Sequence, residues 1–276
     1  MKLVARLALV LVLAGHARAA DVPAVPKVMV VILENTDFKD ALAQPFMAQL
    51  AKDGALLTNF QAEKHPSQAN YIALIAGDIF NIHGDAPVNL DGQHVGNLVE
   101  DAGKSWKVYA EAYPGGCFQG TQQGTYVRKH EPFVSFTNVQ TDPTRCARIV
   151  DAAQLDADVA AGQLPEFSLY IPDLNNDGHD TGVRFADKWL TKRFGPLLKD
   201  PRFMKDMLLV VTFDESGSSS PNQVYTALYG SHVKPGSQSN VRLDHYSLLR
   251  TIELGLGLKD LGRHDTAAVP ITGIWQ

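Results

Sequence analysis

The stretch KVMVVIL, from Lys27 to Leu33, runs directly into Glu34 and Asn35. An uninterrupted apolar run that is rich in β-branched residues is typical of a strand buried on both faces. Strands of this kind belong mostly to parallel sheets that helices cover. The stretch therefore predicts a buried strand of an α/β domain, with a carboxylate and an amide just beyond its carboxyl end.

Short apolar runs and helical patterns alternate along the rest of the chain. Further strands are predicted at residues 55–60, 106–110, 167–171, 207–213 and 224–229. Helices are predicted at residues 45–53, 68–76, 152–161, 183–198 and 246–254. This alternation indicates one α/β domain over residues 21–276, with a mostly parallel sheet sandwiched by helices. Residues 114–144, which are rich in Gly, Gln, Thr and Pro, are predicted to form an irregular insertion or lid.

Residues 1–20 have the features of an export signal. Lys2 precedes a long apolar run, and the small-residue stretch ARAA stands at positions 17–20. This pattern predicts a signal peptide that is cleaved near residue 20, because the run is too short for a stable membrane span. An uncleaved anchor is the alternative, and Arg6 within the run argues against it. The mature chain is predicted to be periplasmic or secreted.

Composition and cysteine count narrow the possible partners. The chain has 276 residues, with 25 Lys and Arg against 30 Asp and Glu, so no basic field indicates a nucleic-acid partner. Cys117 and Cys146 are the two cysteines. In an oxidising compartment they are predicted to form one disulfide, with two separate buried thiols as the alternative. No oligomeric state is predicted.

Polar residues follow four of the predicted strands. They are Glu34 and Asn35, then His65-Pro66-Ser67, then the stretch from Asp173 to Asp180, and finally Asp214 and Glu215. In open α/β sheets, ligands bind beyond the carboxyl ends of the strands. We therefore expect these side chains to converge at one edge of the sheet.

Ser67 stands immediately before the predicted helix at residues 68–76. The ordinary interpretation is a capping serine. A helix N-terminus also favours negative charge, so it can bind phosphate and stabilise a serine alkoxide. A serine hydroxyl needs a base or a metal to become nucleophilic, and no G-x-S-x-G elbow surrounds Ser67. The favoured hypothesis is a serine nucleophile that a metal activates.

Five motifs resemble, in order, the phosphoesterase family that includes the AcpA-type acid phosphatases and the non-haemolytic phospholipases C. The motifs are VILEN at 31–35, HPSQANY at 65–71, NDGHD at 176–180, FDE at 213–215 and DHYSLL at 244–249. That family belongs to the alkaline phosphatase superfamily, so the resemblance implies an alkaline-phosphatase-like fold. The chain departs from the family pattern at residues 216–220, SGSSS, where many relatives have glycines. It is also compact beside the phospholipase C members, which favours a small phosphomonoesterase.

The resemblance also implies roles for individual residues. Ser67 would attack phosphorus and form a phosphoserine. One divalent metal ion would be bound by Glu34, Asn35, Ser67, Asp214 and Glu215. The catalytic histidines His179 and His245 would bind phosphate oxygens, and one would protonate the leaving group.

Some assignments have alternatives. Asn70 is a candidate for substrate binding, although Asn70 and His65 could instead brace the nucleophile loop. The wider superfamily suggests a second metal site, built from Asp173 or Asp177 with His179 and His245. Residues 173–178 match the start of a calcium loop, but Arg184 stands where an EF-hand needs Glu. Surface positions are predicted for the remaining histidines of the mature chain, which are His83, His94, His130, His232 and His264.

The resulting functional hypothesis is an exported acid phosphatase that acts on small phosphate monoesters, with phosphodiesters or phospholipids as a secondary substrate class. A phospholipase C-like phosphodiesterase is one alternative, and a noncatalytic, metal-stabilised binding protein of the same fold is another. A sulfatase is disfavoured because no C/S-x-P-x-R motif is present. With one metal and two histidine cations, we expect an acidic-to-neutral optimum.

Overall fold

The computed structural model describes residues 22–218 and 221–276, so the predicted signal peptide lies outside the described residues. The strands of these two stretches are β1 Lys27–Leu33, β2 Ala55–Leu57, β3 Trp106–Ala110, β4 Gln122–Gln123, β5 Tyr126–Val127, β6 Ile149–Asp151, β7 Phe167–Ile171, β8 Met207–Phe213, β9 Thr226–Gly230 and β10 Ser237–Ser239. The α-helices are α1 Phe38–Leu42, α2 Pro45–Asp53, α3 Gln68–Ala76, α4 Val95–Asp101, α5 Thr137–Gln140, α6 Pro143–Cys146, α7 Gln154–Ala161, α8 Val183–Leu197, α9 Pro201–Met204, α10 His245–Leu256 and α11 His264–Ala267. Short 3-10 helices lie at Arg128–His130 and Phe133–Ser135.

Eight of these strands form one sheet, in the order β10-β2-β9-β8-β1-β7-β3-β6. Within this sheet only β9 runs antiparallel to its neighbours β2 and β8, and the other neighbouring strands of the sheet are parallel. Helices cover the sheet: α10 packs on α3 and β1, whereas α2 packs on α8 and β9. The prediction of a mostly parallel α/β sheet with helices is therefore confirmed.

The position of β1 inside the sheet explains its composition. Every side chain from Val28 to Leu33 is fully buried, because β7 and β8 pair with β1 on either side and helices cover its faces. Leu33 stands opposite Phe213, the last residue of β8. The chain segments that leave β1 and β8 therefore emerge side by side at one edge of the sheet.

Short elements differ most from the sequence predictions. The strand predicted at residues 55–60 ends at Leu57, and Phe60 makes only an isolated bridge to Leu243. The elements that the sequence did not predict are all short, and they include β6, β10 and α4. Helix α10 begins at His245 and extends to Leu256, beyond both predicted ends.

Residues 114–144 are more ordered than an irregular lid. They contain the β4-β5 hairpin, both 3-10 helices and α5, and their side chains at Tyr126, Phe133 and Phe136 belong to the core. Cys117 and Cys146 form a disulfide, as predicted. Among the described residues, no helix has the length and apolar character that crossing a membrane requires.

Candidate active site

The adjacent ends of β1 and β8 bring two carboxylates together. The Asp214 amide donates to the Leu33 carbonyl at 2.9 Å, which continues the parallel ladder by one residue. Glu34 and Asp214 thus leave neighbouring strands at the same level, and both are fully buried. Glu215 follows and is also buried. The convergence expected from the strand ends is present for these residues.

Ser67 joins this cluster through its side chain. Its hydroxyl donates to Glu34 Oε2 at 2.9 Å, and Glu215 Oε1 lies 3.4 Å from the same oxygen. Ser67 does not cap α3 with its side chain, so the capping interpretation is wrong. Instead, the first amide of α3, that of Gln68, donates to Asp85 Oδ1 at 3.1 Å.

Asn70 holds the loop that precedes Ser67. Its amide oxygen accepts hydrogen bonds from the backbone amides of Glu63 and Lys64 at 3.1 and 3.0 Å, and its amide nitrogen donates to the Lys64 carbonyl at 2.7 Å. The side chain is fully buried. Both polar atoms of the side chain thus bond to the loop, as the bracing alternative expects, and substrate binding by Asn70 stays a prediction. His65 lies with Nδ1 2.7 Å from Glu215 Oε2.

Asn35 completes a ring of oxygen-bearing side chains. One terminal atom of its amide stands 3.1 Å from Glu215 Oε1 and 3.3 Å from Glu34 Oε2. A nitrogen in that place donates to both carboxylates, whereas an oxygen there would share a cation with them. The Asn35 backbone amide donates to Asp214 Oδ1 at 3.3 Å, and the buried Asp214 Oδ2 has no hydrogen-bond partner.

The three carboxylates oppose one another electrostatically. Burial raises the pKa of Asp214, and the charges of Glu34 and Glu215 raise it further. Burial and the charge of Glu34 raise the pKa of Glu215 to about 7. Burial would also raise the pKa of Glu34, but the nearby charge of His130 outweighs burial and lowers this pKa to about 2. Each carboxylate thus disfavours the ionised form of its neighbours, so a further positive charge at this place would favour all three ionised forms.

His130 is the main residue of the site that the sequence analysis missed. Its Nε2 lies 3.2 Å from Glu34 Oε1 and its Nδ1 lies 3.4 Å from Asp177 Oδ2. The ring stacks on Tyr71 of α3, with centroids 5.1 Å apart and planes at 8°. Both His130 and His94 are buried, so the surface prediction is wrong for these two, whereas His83, His232 and His264 are exposed.

The two histidines predicted to bind phosphate have different surroundings. His179 is partly exposed, its amide donates to Asp177 Oδ1 at 2.7 Å, and its Nδ1 lies 2.7 Å from Asp180 Oδ1. His245 is fully buried, with Nδ1 bonded to Glu63 and Nε2 3.3 Å from the Phe213 carbonyl. Binding of phosphate by His245 stays a prediction, and it would require one of these contacts to be given up.

The alternative second metal set is not assembled in the described residues. The Asp173 carboxylate accepts from the Thr125 hydroxyl at 2.6 Å and from the Asn175 and Asn176 amides, while His245 is held by Glu63. Within residues 22–218 and 221–276, no three His, Cys, Asp or Glu side chains converge closely enough to hold a metal by themselves. The ring described above depends in addition on the Asn35 amide and the Ser67 hydroxyl.

A sequence profile of the phosphoesterase family matches residues 37–259. The probable acid phosphatase of Kluyveromyces lactis is 36% identical over 249 residues, covering 86% of this chain and 59% of that protein. The acid phosphatase of Aspergillus fumigatus is 36% identical over 251 residues, covering 86% of this chain and 56% of that protein. The chain thus spans less than two thirds of the length of these fungal relatives. The phosphatidylinositol-3-phosphatase of Mycobacterium tuberculosis is 35% identical over an alignment of 287 residues, covering 98% of this chain and 93% of that protein.

Solved structures share the fold at low sequence identity. A protein of the alkaline phosphatase superfamily from Vibrio parahaemolyticus superposes with a TM-score of 0.62 at 12% identity, covering 88% of this chain and 70% of that one. The phosphonate monoester hydrolase of Agrobacterium radiobacter gives a TM-score of 0.57 at 12% identity, covering 91% and 79%. The fold is that of the alkaline phosphatase superfamily, as the sequence predicted.

Proposed function

Because this chain belongs to the phosphoesterase family, we propose that it hydrolyses phosphate esters by attack of the Ser67 hydroxyl on phosphorus. The observation that carries the proposal is the setting of Ser67 Oγ, 2.9 Å from Glu34 Oε2 and 3.4 Å from Glu215 Oε1. A hydroxyl at a helix start, with a carboxylate accepting its proton, has the geometry of an activated nucleophile.

The proposed reaction has two steps. The Ser67 oxygen forms a bond to phosphorus as the bond from phosphorus to the ester oxygen breaks, and the departing alcohol takes up a proton. Water then attacks the phosphoserine, which releases inorganic phosphate and restores the hydroxyl. Splitting the hydrolysis in this way replaces one difficult displacement by two easier ones.

We also propose that one divalent metal ion binds at this site. Glu34, Asn35, Ser67, Asp214 and Glu215 would hold it. Two observations support this metal proposal: the buried Asp214 Oδ2 has no hydrogen-bond partner, and the Asn35 amide faces two carboxylate oxygens. These are the oxygen donors that hard dications prefer. When bound, such an ion polarises phosphate oxygens and lowers the pKa of a coordinated hydroxyl.

His179 is the proposed contact to the substrate at the rim of the site. Its Nδ1 is paired with Asp180, which fixes the ring and points Nε2 away from that carboxylate. From this position Nε2 would donate to a phosphate oxygen or give a proton to the leaving group. His245 is proposed as a second phosphate contact, for which its Nε2 would have to leave the Phe213 carbonyl next to Asp214.

Small phosphate monoesters are the proposed substrates, as the names of the fungal relatives suggest. A second candidate is a phosphate monoester on a lipid headgroup. It is favoured by the Mycobacterium tuberculosis relative, which is named a phosphatidylinositol-3-phosphatase and is matched over 93% of its length. Both candidates present a terminal phosphate to Ser67, and a noncatalytic binding protein would hydrolyse neither.

A substrate panel tests the proposed activity. Purified protein is incubated with an aryl phosphate, a phosphoinositide in vesicles and an aryl phosphodiester, before and after chelation and with Mn²⁺ restored. We expect hydrolysis of monoesters, loss of activity with chelator and recovery with Mn²⁺. Acid-quenched samples should carry one phosphoryl group on the peptide that contains Ser67. Absence of hydrolysis of any ester would leave the binding-protein alternative.

Metal stoichiometry and export are tested separately. Elemental analysis of active, dialysed protein should find one dication per chain, and two would favour the second metal set. Export is proposed from the sequence of residues 1–20. Protein recovered from the periplasm or medium of the expression host should begin near residue 20, and a full-length mass in that fraction would contradict cleavage.

A further inference from the structure

We propose that His130 is a positioning residue of this active site, which holds Glu34 toward Ser67 and ties Glu34 to the loop that carries His179. The proposal rests on the proposed function, because it assigns His130 a part in Ser67 chemistry. His130 is the one residue of the segment 114–144 for which we propose a role in positioning the site. The segment would then be a structural support of catalysis.

A continuous line of side-chain contacts leads from Asp177 to the nucleophile. Asp177 Oδ2 lies 3.4 Å from His130 Nδ1, and His130 Nε2 lies 3.2 Å from Glu34 Oε1. The second oxygen of Glu34 accepts the Ser67 hydroxyl at 2.9 Å. Glu34 therefore uses one oxygen for the imidazole and the other for the nucleophile. Rotation of its carboxylate would break both contacts together.

The imidazole ring is itself held rigidly. It stacks nearly parallel on Tyr71, and the residues beside it in sequence anchor the backbone. The Arg128 guanidinium donates to the carbonyls of Gln119 and Val88 at 2.8 and 2.6 Å. The Glu131 carboxylate accepts the Phe133 and Val134 amides at 3.1 and 2.8 Å. A group that orients a catalytic side chain must have its own position fixed in this way.

Asp177 extends the same contacts to the substrate rim. Its Oδ1 accepts the His179 amide at 2.7 Å, and its carbonyl accepts the Glu34 amide at 3.1 Å. His130 thus stands between two buried carboxylates that belong to the nucleophile side and the rim side of the site. Without the imidazole, these carboxylates would face each other with nothing to attract them to their present positions.

The test compares two buried histidines. His130→Phe keeps a flat ring against Tyr71 but removes both polar contacts, and His130→Gln restores one donor. His94→Phe is the matched control, because His94 is equally buried, lies among Trp106, Phe133 and Phe136, and bonds to the Gly96 amide and Asn138. Steady-state kinetics with an aryl phosphate give kcat and KM for each folded variant.

For His130→Phe we expect kcat to fall about 10- to 100-fold with KM changed by less than about threefold, the size typical of lost outer-shell partners. His130→Gln should recover part of kcat, and His94→Phe should retain wild-type kcat. A His130→Phe enzyme with the kcat of His94→Phe, or one in which only KM rises, would overturn the proposal. If His130→Phe fails to fold, Asp177→Asn is measured instead. A wild-type kcat in Asp177→Asn overturns the proposal.

A second measurement does not depend on turnover. Mn²⁺ should raise the midpoint of thermal unfolding of the wild type, and half of the rise should need about 10- to 100-fold more Mn²⁺ in His130→Phe. If His130→Phe and the wild type need equal Mn²⁺ and have equal kcat, His130 has no part in positioning the site. An inactive wild type would instead refute the proposed function, which keeps the two failures distinct.

Discussion

At the scale of single residues, the contacts of the Ser67 hydroxyl distinguish between two interpretations of Ser67, a helix cap and a nucleophile. The hydroxyl turns away from the amides of α3 and toward Glu34 and Glu215. A capping serine would contribute about 1 kcal/mol to stability and nothing to turnover. A covalent nucleophile contributes orders of magnitude to the rate.

Ser67→Ala should therefore lose nearly all phosphatase activity and keep its fold. The free energy of unfolding should change by no more than about 1–2 kcal/mol, because the variant loses one buried hydrogen bond. Urea denaturation and an aryl phosphate assay provide the two measurements. Ser168→Ala, which removes a buried hydroxyl from β7, is the control and should stay active. Near-normal turnover of folded Ser67→Ala protein would refute the mechanism.

The residues of this site differ in how visible they are in the sequence. The convergence of Glu34, Ser67 and Asp214 could be predicted, because strand ends converge in parallel sheets and each residue follows a long apolar run or precedes a helix. His130 could not, because its contacts are purely tertiary and its local sequence has no periodicity. Even the disulfide, which was predicted, does not indicate which side chain between its cysteines points inward.

At the scale of elements, helix α10 contains a buried acid, Glu253, that is not part of the candidate site. Glu253 is fully buried on this helix, and its Oε2 lies 3.1 Å from Arg250 Nη1. Burial raises the pKa of Glu253, and the nearby charge of Asp265 raises it further, to about 8 in spite of Arg250. The folded protein thus binds this proton more tightly than the unfolded chain, whose glutamate has a pKa near ~4.3.

The sign of the resulting pH dependence follows from linkage. The stabilising contribution of the protonated carboxyl is fully present below the unfolded pKa and is lost as the pH rises toward about 8. Glu253→Gln should remove this loss, so the variant should gain roughly 2–4 kcal/mol relative to wild type between about pH 5 and 8.5. Urea denaturation at both pH values measures the change. Asp101→Asn, at an exposed acid of α4, is the control. An equal difference at both pH values would exclude the carboxyl as the cause.

Element lengths explain which parts of the fold were predictable. β1 and β8 have seven residues each, and α8 has fifteen, so their patterns are unambiguous. β6 and β10 have three residues each, and a pattern that short does not distinguish a strand from a loop. Residues 128–134 are ordered by Arg128 and Glu131, whose side chains bond to backbone groups instead of following a helical or strand period.

At the scale of the whole molecule, the disulfide encloses the segment that supplies His130. Cys117 and Cys146 are 29 residues apart. In the chain-entropy model a loop of this size stabilises the folded state by about 3–4 kcal/mol. The disulfide also limits how far the backbone around His130 can move.

Replacing both cysteines by serine should lower the free energy of unfolding by about 3–4 kcal/mol. It should also lower kcat, because the anchored turn at 128–131 becomes easier to displace. Urea denaturation and the aryl phosphate assay test both effects. Wild-type protein treated with a reductant is the control and should match the double variant. Unchanged stability would show that the segment is held by its other contacts alone.

The arrangement of the sheet also sets the order in time in which a working site can appear. β1 is synthesised first, yet both strands beside it, β7 and β8, come much later in the chain. Ser67 and Glu215 are 148 residues apart in sequence. A growing chain that has reached residue 206 therefore contains Ser67 without Asp214 or Glu215, and one edge of β1 is still unpaired because β8 has not been made. Such a precursor exposes a strand edge prone to aggregation, and on the proposed mechanism it should be inactive until β8 pairs with β1.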